Sequence, residues 1–270
     1  MTLIMGIVNV TPDSFSDGGR HFSAEAAISH GRALRAAGAD IVDVGGESTR
    51  PGAERVDPSE ELARVLPVVE ALAADGIAVS IDTMNASTAI ATVEAGARIV
   101  NDVSGGLADP DMLPAVAASG ADVILQHWRG HSAEMYARAQ YDDVVRDVVA
   151  ELDDRRQAAA AAGISPDRVI LDPGIGFGKA GEQNWEALRG LDRVVGIGPR
   201  VLVGTSRKRF LGDALAEAAP AEESVAEARK DLATAVTSVL AARAGVWAVR
   251  VHDVGATRDA LAVWRRWEGR

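Results

Sequence analysis

The feature that most constrains this chain is an alternation. Eight short apolar runs are each followed by a longer stretch of helical pattern. The runs fall at Leu3–Val8, Ile41–Val44, Ala78–Ile81, Arg98–Val100, Val123–Leu125, Val169–Leu171, Val201–Val203 and Ala248–Val251. The helical stretches are Ala24–Ala37, Pro58–Ala74, Ala86–Ala95, Asp111–Ala118, Asp142–Ala162, Glu182–Leu191, Glu222–Ala244 and Thr257–Trp267. Ser23, Asp57-Pro58 and Asn85 stand where helix N-caps belong, and glycines such as Gly38, Gly76, Gly96 and Gly120 close several stretches. Strands alternating with helices call for a parallel sheet with crossover helices. Eight units in 270 residues with no linker predict a single α/β domain over 1–270, closed as a (β/α)8 TIM barrel.

The second regularity lies at the strand ends. A polar or glycine-rich cluster follows each run: Asn9, Glu47-Ser48-Thr49-Arg50, Asp82-Thr83, Asn101-Asp102, His127, Asp172-Pro173-Gly174, Ser206-Arg207-Lys208 and Arg250/His252-Asp253. One polar residue after a strand is an ordinary turn or cap. Eight in register load one rim of the barrel, and function in this fold collects at the carboxyl ends of the strands. With no cysteine, thiolate nucleophiles and Cys-ligated metals are excluded. A net charge of −11 argues against nucleic acid or an anionic membrane as partner, while clustered Arg and Lys still allow a small anionic substrate. The amino terminus has no basic region with a long apolar run, and no later stretch is long enough to span a bilayer, so the expected location is the cytoplasm.

Within that rim the residue types are specific. Two long loops, residues 9–19 and 45–52, are rich in Gly and Ser, and Arg50 in the second is suited to clamp an oxyanion. Asp82, Asn101 and Asp172 would point into the mouth, where carboxylates and an amide match a flat heterocycle with several N–H donors. A metal site is the rival reading, though the scattered histidines lack transition-metal spacing. Asp102 reads as a cap of the following turn. The segment Asp172–Lys179 carries alternating glycines and forms a flexible wall bearing Phe177. Lys208, Arg250, His252 and Arg50 would make a pyrophosphate cradle, with Arg209 left to a solvated helix face. No Ser or Cys nucleophile accompanies His252, which fits an oxyanion donor better than a general base.

Seven segments in order, from Asn9-Val-Thr-Pro-Asp-Ser-Phe-Ser-Asp-Gly-Gly through Asp43-Val-Gly-Gly-Glu-Ser-Thr-Arg-Pro-Gly, Ser80-Ile-Asp-Thr, Asn101-Asp-Val-Ser-Gly-Gly, Asp172-Pro-Gly-Ile-Gly-Phe-Gly-Lys and Ser206-Arg-Lys to Arg250-Val-His-Asp-Val, resemble the dihydropteroate synthase family of bacterial folate biosynthesis. The resemblance implies condensation of 6-hydroxymethyl-7,8-dihydropterin pyrophosphate with p-aminobenzoate, Mg2+ dependence and sensitivity to sulfonamides. By position it implies that Asp82, Asn101, Asp172 and Lys208 hold the pterin. Arg250, His252, Asn9 and Thr49 would hold the pyrophosphate, with Asn9 and either Asp17 or Asp13 on Mg2+. Arg50, Pro51, Phe15, Phe177, Ser206 and the stem of Lys208 would line the aminobenzoate pocket. Asp172, Lys208, Arg250 and Asp82 are the expected catalytic groups.

The chain departs from the family pattern once: Gln126 precedes His127 where the family usually has Met. Two other readings share the pterin floor. A corrinoid methyltransferase would not need Thr49–Gly52 or Ser206-Arg-Lys, and a pterin-binding module without catalysis should have lost anion ligands. The family tends to form homodimers through late helices. The apolar residues of 225–244 and 261–267 would serve such an interface or equally the packing of a buried barrel helix.

Overall fold

The computed structural model describes residues 1–10, 24–47, 55–131, 136–137, 139–218 and 225–269. Eight parallel strands close into a barrel in sequence order: β1 (Leu3–Asn9), β2 (Ile41–Gly45), β3 (Val79–Asp82), β4 (Ile99–Asp102), β5 (Asp122–Gln126), β6 (Val169–Asp172), β7 (Arg200–Val203) and β8 (Ala248–Val251). The seam pairs Leu3 with Ala248 and Gly6 with Val251. Around it run α1 (Ala24–Ala37), α2 (Pro58–Ala74), α3 (Ala86–Glu94), α4 (Met112–Ser119), α5 (Val144–Ala161), α6 (Glu182–Arg189), α7 (Leu191–Val195), α8 (Arg209–Glu217), α9 (Glu227–Arg243) and α10 (Val254–Trp267). The predicted (β/α)8 barrel is the fold.

Strand parity organises it. Met5, Ile41, Ile99, Ile124, Ile170, Leu202 and Ala248 form one buried cluster inside the barrel. Their strand neighbours, among them Ile4, Val42, Val44, Val100, Val123, Leu125, Leu171 and Val249, pack outward under the helices. Strands buried on both faces therefore read as unbroken apolar runs. Because successive side chains alternate faces, the residue two places beyond each interior apolar residue also faces inward, one layer nearer the rim. Those positions are Ile7, Asp43, Asn101, Gln126, Asp172, Gly204 and Arg250. The barrel floor is greasy and the layer above it is largely polar, within the same strands.

Local signals behave mostly as read. Asp57 caps α2 by accepting the Ser59 amide at 2.9 Å, with Pro58 in the first turn. Asp253 caps α10 at the Ala256 amide. Asn85 precedes α3 but makes no capping bond; its amide donates to Glu61 at 2.8 Å and its oxygen accepts from Arg55, which tie the side chain elsewhere. The helix expected over 182–191 is two, α6 and α7, broken at Gly190, where a Cβ would meet the Val145 side chain at 2.5 Å. The helix expected from Glu222 begins in the structure at Glu227, after an extended Ala226; Ser23 and residues 222–224 lie outside the described residues. An unforeseen α8 follows Lys208, its apolar Phe210 and Leu211 turned into the core.

Candidate active site

At the mouth Arg250 is the hub. Its Nε donates to Asp43 Oδ2 at 2.6 Å and its Nη2 to Asp82 Oδ2 at 2.8 Å. Asn101 Nδ2 donates to the same Asp43 oxygen at 3.1 Å. Three of the expected site residues are thus brought together: Arg250 and Asn101 meet on Asp43, a fully buried aspartate, and Asp82 joins them through Arg250. The other Asp43 oxygen is buried with no hydrogen-bond partner among the described residues. Burial pushes the Asp82 carboxyl up to about 7, against the opposing pull of Arg250. Burial also disfavours the Arg250 charge, but Asp43 and Asp82 outweigh it and hold the guanidinium above its ordinary value.

The other side of the mouth is built from β6 and β7. Asp172 is buried, which raises its carboxyl; the Lys208 charge and the Gly174 amide, donating to Oδ1 at 2.7 Å, act the other way. Lys208 is lowered to about 8, chiefly by burial, while Asp172 favours its charged form. Its ammonium donates to the Ile175 carbonyl and sits 4.6 Å from the centroid of the Phe177 ring. At Gly204 a Cβ would stand 3.6 Å from the Arg250 Cβ and 4.0 Å from Lys208 Nζ, ordinary contact distances that place the end of β7 between the two cations. Ser206 Oγ lies 2.8 Å from His252 Nδ1 and accepts the His252 amide at 3.1 Å, which couples the ends of β7 and β8.

The glycine loop after β6 is not the flexible wall expected of its composition. Asn184 Oδ1 accepts the Gly176 amide at 2.6 Å, and Tyr141 Oη donates to the Gly178 carbonyl at 2.7 Å. Lys179 folds back inside the loop. Its Nζ donates to the carbonyls of Gly174 at 3.1 Å and Phe177 at 3.3 Å and approaches His127 Nδ1 at 3.0 Å. The glycines supply the positive φ angles this winding needs: +62° at Gly174 and +84° at Gly176. Side chains from just past β5, from the segment before α5 and from α6 then hold what glycine leaves free.

Asp102 is a turn residue, as expected: its carboxylate accepts from Ser104 and from the Gly106 amide at 2.7 Å. Arg209 is exposed, and His131 is exposed with its ring 5.0 Å from that of Trp128. Gln126 is buried opposite Asp172 and donates to the Val103 carbonyl at 3.3 Å. Asn9 sits half-buried at the rim end of β1, in register with Gly45. Phe15, Asp13, Asp17, Thr49, Arg50 and Pro51 lie outside the described residues. Reading the sequence missed three buried supports: Asp43, Lys179 and Glu61, the last accepting from Thr83 at 2.9 Å and from Asn85. Strand parity could have found Asp43, two residues beyond the interior Ile41. Nothing in composition distinguishes Lys179 from a solvated lysine.

A barrel whose rim gathers buried carboxylates, an amide and two cations around a recess is a pterin-binding enzyme by comparison as well. The model of the pterin binding enzyme family matches residues 5–252. The dihydropteroate synthase of Mycobacterium leprae (strain TN) is 53% identical over 265 residues, covering 98% of this chain and 93% of that protein. The structure of Xanthomonas albilineans dihydropteroate synthase with 4-aminobenzoic acid superposes with a TM-score of 0.90 at 44% identity, covering 100% of this chain and 94% of that one. The same bacterium's enzyme in complex with 7,8-dihydropteroate gives 0.87 at 41% identity, with coverage of 100% and 94%. The chain belongs to the dihydropteroate synthase family.

Proposed function

We propose that the mouth of this barrel joins a 6-hydroxymethyl-7,8-dihydropterin pyrophosphate to p-aminobenzoate, giving 7,8-dihydropteroate and pyrophosphate. The observation that carries the reading is the Asp43–Arg250–Asp82 cluster facing Asp172 and Lys208 across a polar rim, within a family where relatives bind the acid and the product. Asp82, Asn101 and Asp172 present acceptors and an amide to the ring's N–H groups and carbonyl, and Lys208 stands beside them. As the exocyclic carbon–oxygen bond breaks, its electrons leave with the pyrophosphate and positive charge spreads over the pterin ring. The buried carboxylates of Asp172 and Asp82 stabilise that charge in a medium of low dielectric. Arg250 and His252, with Asn9 and Thr49, receive the departing anion. The arylamine lone pair forms the new carbon–nitrogen bond and the amine sheds one proton. Already a nucleophile, it needs placement by Phe177, Ser206, the Lys208 stem, Phe15, Arg50 and Pro51 rather than activation.

Mg2+ suits this donor set. The ion takes one or two protein oxygens and completes its shell with phosphate and water. Among the described residues no group of three His, Cys, Asp or Glu side chains forms a cage, and Asn9 is half-buried at the rim end of β1. Asn9 with Asp17 would hold it, and bound there it would neutralise charge on the pyrophosphate.

The test is pyrophosphate release with the pterin substrate and Mg2+, with and without p-aminobenzoate. Release that depends on the acid and falls with a sulfonamide is expected. Tight pterin binding without release would identify a binding module instead. Asp172→Asn and Arg250→Ala should each lower kcat/KM by about 10²-fold or more; full turnover in both would end the assignment.

A homodimer and a cytoplasmic location complete the proposal. Leu232, Val236 and Leu240 follow one another at four-residue spacing on α9 and are 67%, 54% and 57% exposed. Val263 and Trp267 add exposed apolar surface on α10, which packs against α9. Such a stripe on a single chain marks an interaction surface. Val236→Glu should shift the dimer to monomer in light scattering, and a monomeric wild type would dismiss it. Among the described residues no helix is long and apolar enough to cross a membrane.

A further inference from the structure

We infer that Lys179 is a positioning residue for the aminobenzoate pocket: its buried ammonium winds the glycine loop into the one shape that sets Phe177 over Lys208. The inference rests on the assignment of Phe177 to that pocket. The side chain is 1% exposed, among the largest fully buried side chains described. An ammonium has three N–H donors. Three acceptors surround this one, the carbonyls of Gly174 and Phe177 and the Nδ1 of His127, at 3.1, 3.3 and 3.0 Å. Two belong to the loop itself, so the lysine closes a ring through its own preceding backbone. The third belongs to the end of β5, so the ring is also moored to the barrel. His127 Nδ1 as acceptor leaves its Nε2 bearing hydrogen, and Nε2 lies 3.0 Å from Glu151, off the line of a well-aligned hydrogen bond. Arg129 pairs with the same glutamate and lies over the Tyr141 ring. Tyr141 in turn holds Gly178.

Burying a cation is costly, and hydrophobic packing alone would be met by a Met or Leu at this position. What only an ammonium does here is hold two loop carbonyls 3.3 Å or less from one point. Glycines at 174, 176 and 178 give the loop little conformational preference of its own. Phe177 itself carries one of the two carbonyls that Lys179 gathers, and its ring stands 4.6 Å from Lys208 Nζ. Losing the ammonium therefore frees the aromatic wall and leaves the carboxylate floor around Arg250 in place.

The test compares Lys179→Met with Phe177→Ala, reading the KM for p-aminobenzoate, kcat, and the Kd for the pterin pyrophosphate alone. In both variants the aminobenzoate KM should rise by about tenfold, with the pterin Kd within about twofold of wild type. A folded Lys179→Met with unchanged aminobenzoate KM overturns the inference while leaving the pocket intact, provided Phe177→Ala still raises it. If Phe177→Ala leaves that KM unchanged, the pocket assignment fails and the inference with it. A parallel loss of pterin and aminobenzoate affinity in Lys179→Met assigns Lys179 to general stability and also overturns it. Should Lys179→Met not fold, Lys179→Gln and Lys179→Cys take its place. The chain has no other cysteine, so S-aminoethylation in denaturant rebuilds a lysine-like ammonium at this one position. Return of the aminobenzoate KM toward wild type on aminoethylation supports the inference, and a KM that stays high sinks it.

Discussion

Asp43 tests whether the mouth is held in shape from below. It accepts Arg250 Nε at 2.6 Å and Asn101 Nδ2 at 3.1 Å on one oxygen, and it is fully buried. Asp43→Ala removes a hydrogen bond to a charged group, which is worth about 1.5–3 kcal/mol, and strands a buried amide donor at about 1–3 kcal/mol. Part of that is returned, because the carboxylate no longer has to be desolvated and its second oxygen has no partner among the described residues. Arg250 also keeps Asp82 at 2.8 Å, so its charge is not abandoned. The net expectation is about 3 kcal/mol. For a chain of this size that lowers the Tm by roughly 6–12 °C. Freed from Asp43, Arg250 loses the constraint on its aim, and kcat/KM should fall by about 10²-fold. Asp43→Asn keeps the shape and one acceptor and should lie between. The assays are a thermal melt and pyrophosphate release on the same preparations. A melt within about 2 °C of wild type together with unchanged kcat/KM would refute the supporting role.

Gly174→Ala places a Cβ against the His127 carbonyl at a φ of +62°, so it should lose about 2 kcal/mol or more and weaken aminobenzoate binding; a wild-type melt would contradict the contact. Gln126→Met gives up only a 3.3 Å bond to a backbone carbonyl, so stability should change by less than about 1 kcal/mol and the pterin Kd by less than about threefold; a larger loss of pterin affinity would show that the glutamine touches the ring. Burial, aided by Lys179, lowers the His127 pKa to about 4 from an ordinary 6.5. The unfolded chain then binds more protons in that window, so stability is present above about pH 6.5 and lost as the pH falls toward 4. Urea midpoints at several pH values should show this slope, and His127→Gln should flatten it; an equal slope in the variant would remove His127 as its source.

How much of this was legible in the chain depends on what each residue's neighbours are. The barrel is written locally, in runs such as Ile170-Leu171-Asp172 that are apolar on both faces and turn polar at the rim. Asp82, Asn101, Asp172 and Arg250 are legible for the same reason: each is the last or next-to-last residue of its strand, so parity alone aims it into the mouth. The need for glycine at 190, where α6 gives way to α7, is not legible, because the space it leaves is taken by the Val145 side chain on another helix. The glycine loop misleads in the same way. Gly174, Gly176 and Gly178 announce freedom, and the bonds from Asn184, Tyr141 and Lys179 that remove it arrive from elsewhere in the fold or from an inward turn of the chain.

Lys179 shows where the boundary lies. Loop composition assigns a lysine after Gly-Phe-Gly to solvent, since a buried ammonium has to replace its water with equally good acceptors. Two of those acceptors are carbonyls of the loop itself, and they converge only after the loop is wound. The third is a histidine whose free nitrogen depends on its tautomer, and that in turn on Glu151. Burial lowers the lysine to about 7, helped by the nearby Lys208 and Arg129 charges and resisted by Asp172. The folded state therefore releases this proton far more readily than the unfolded chain, and stability should climb as the pH rises from about 7 toward the ordinary 10.5. A solvated lysine would contribute no such climb. An alkaline series of urea midpoints on wild type and Lys179→Met separates the two placements: Lys208, lowered to about 8, gives both proteins a climb, and wild type should climb more steeply across that window. Equal slopes would return Lys179 to the surface where its sequence context puts it.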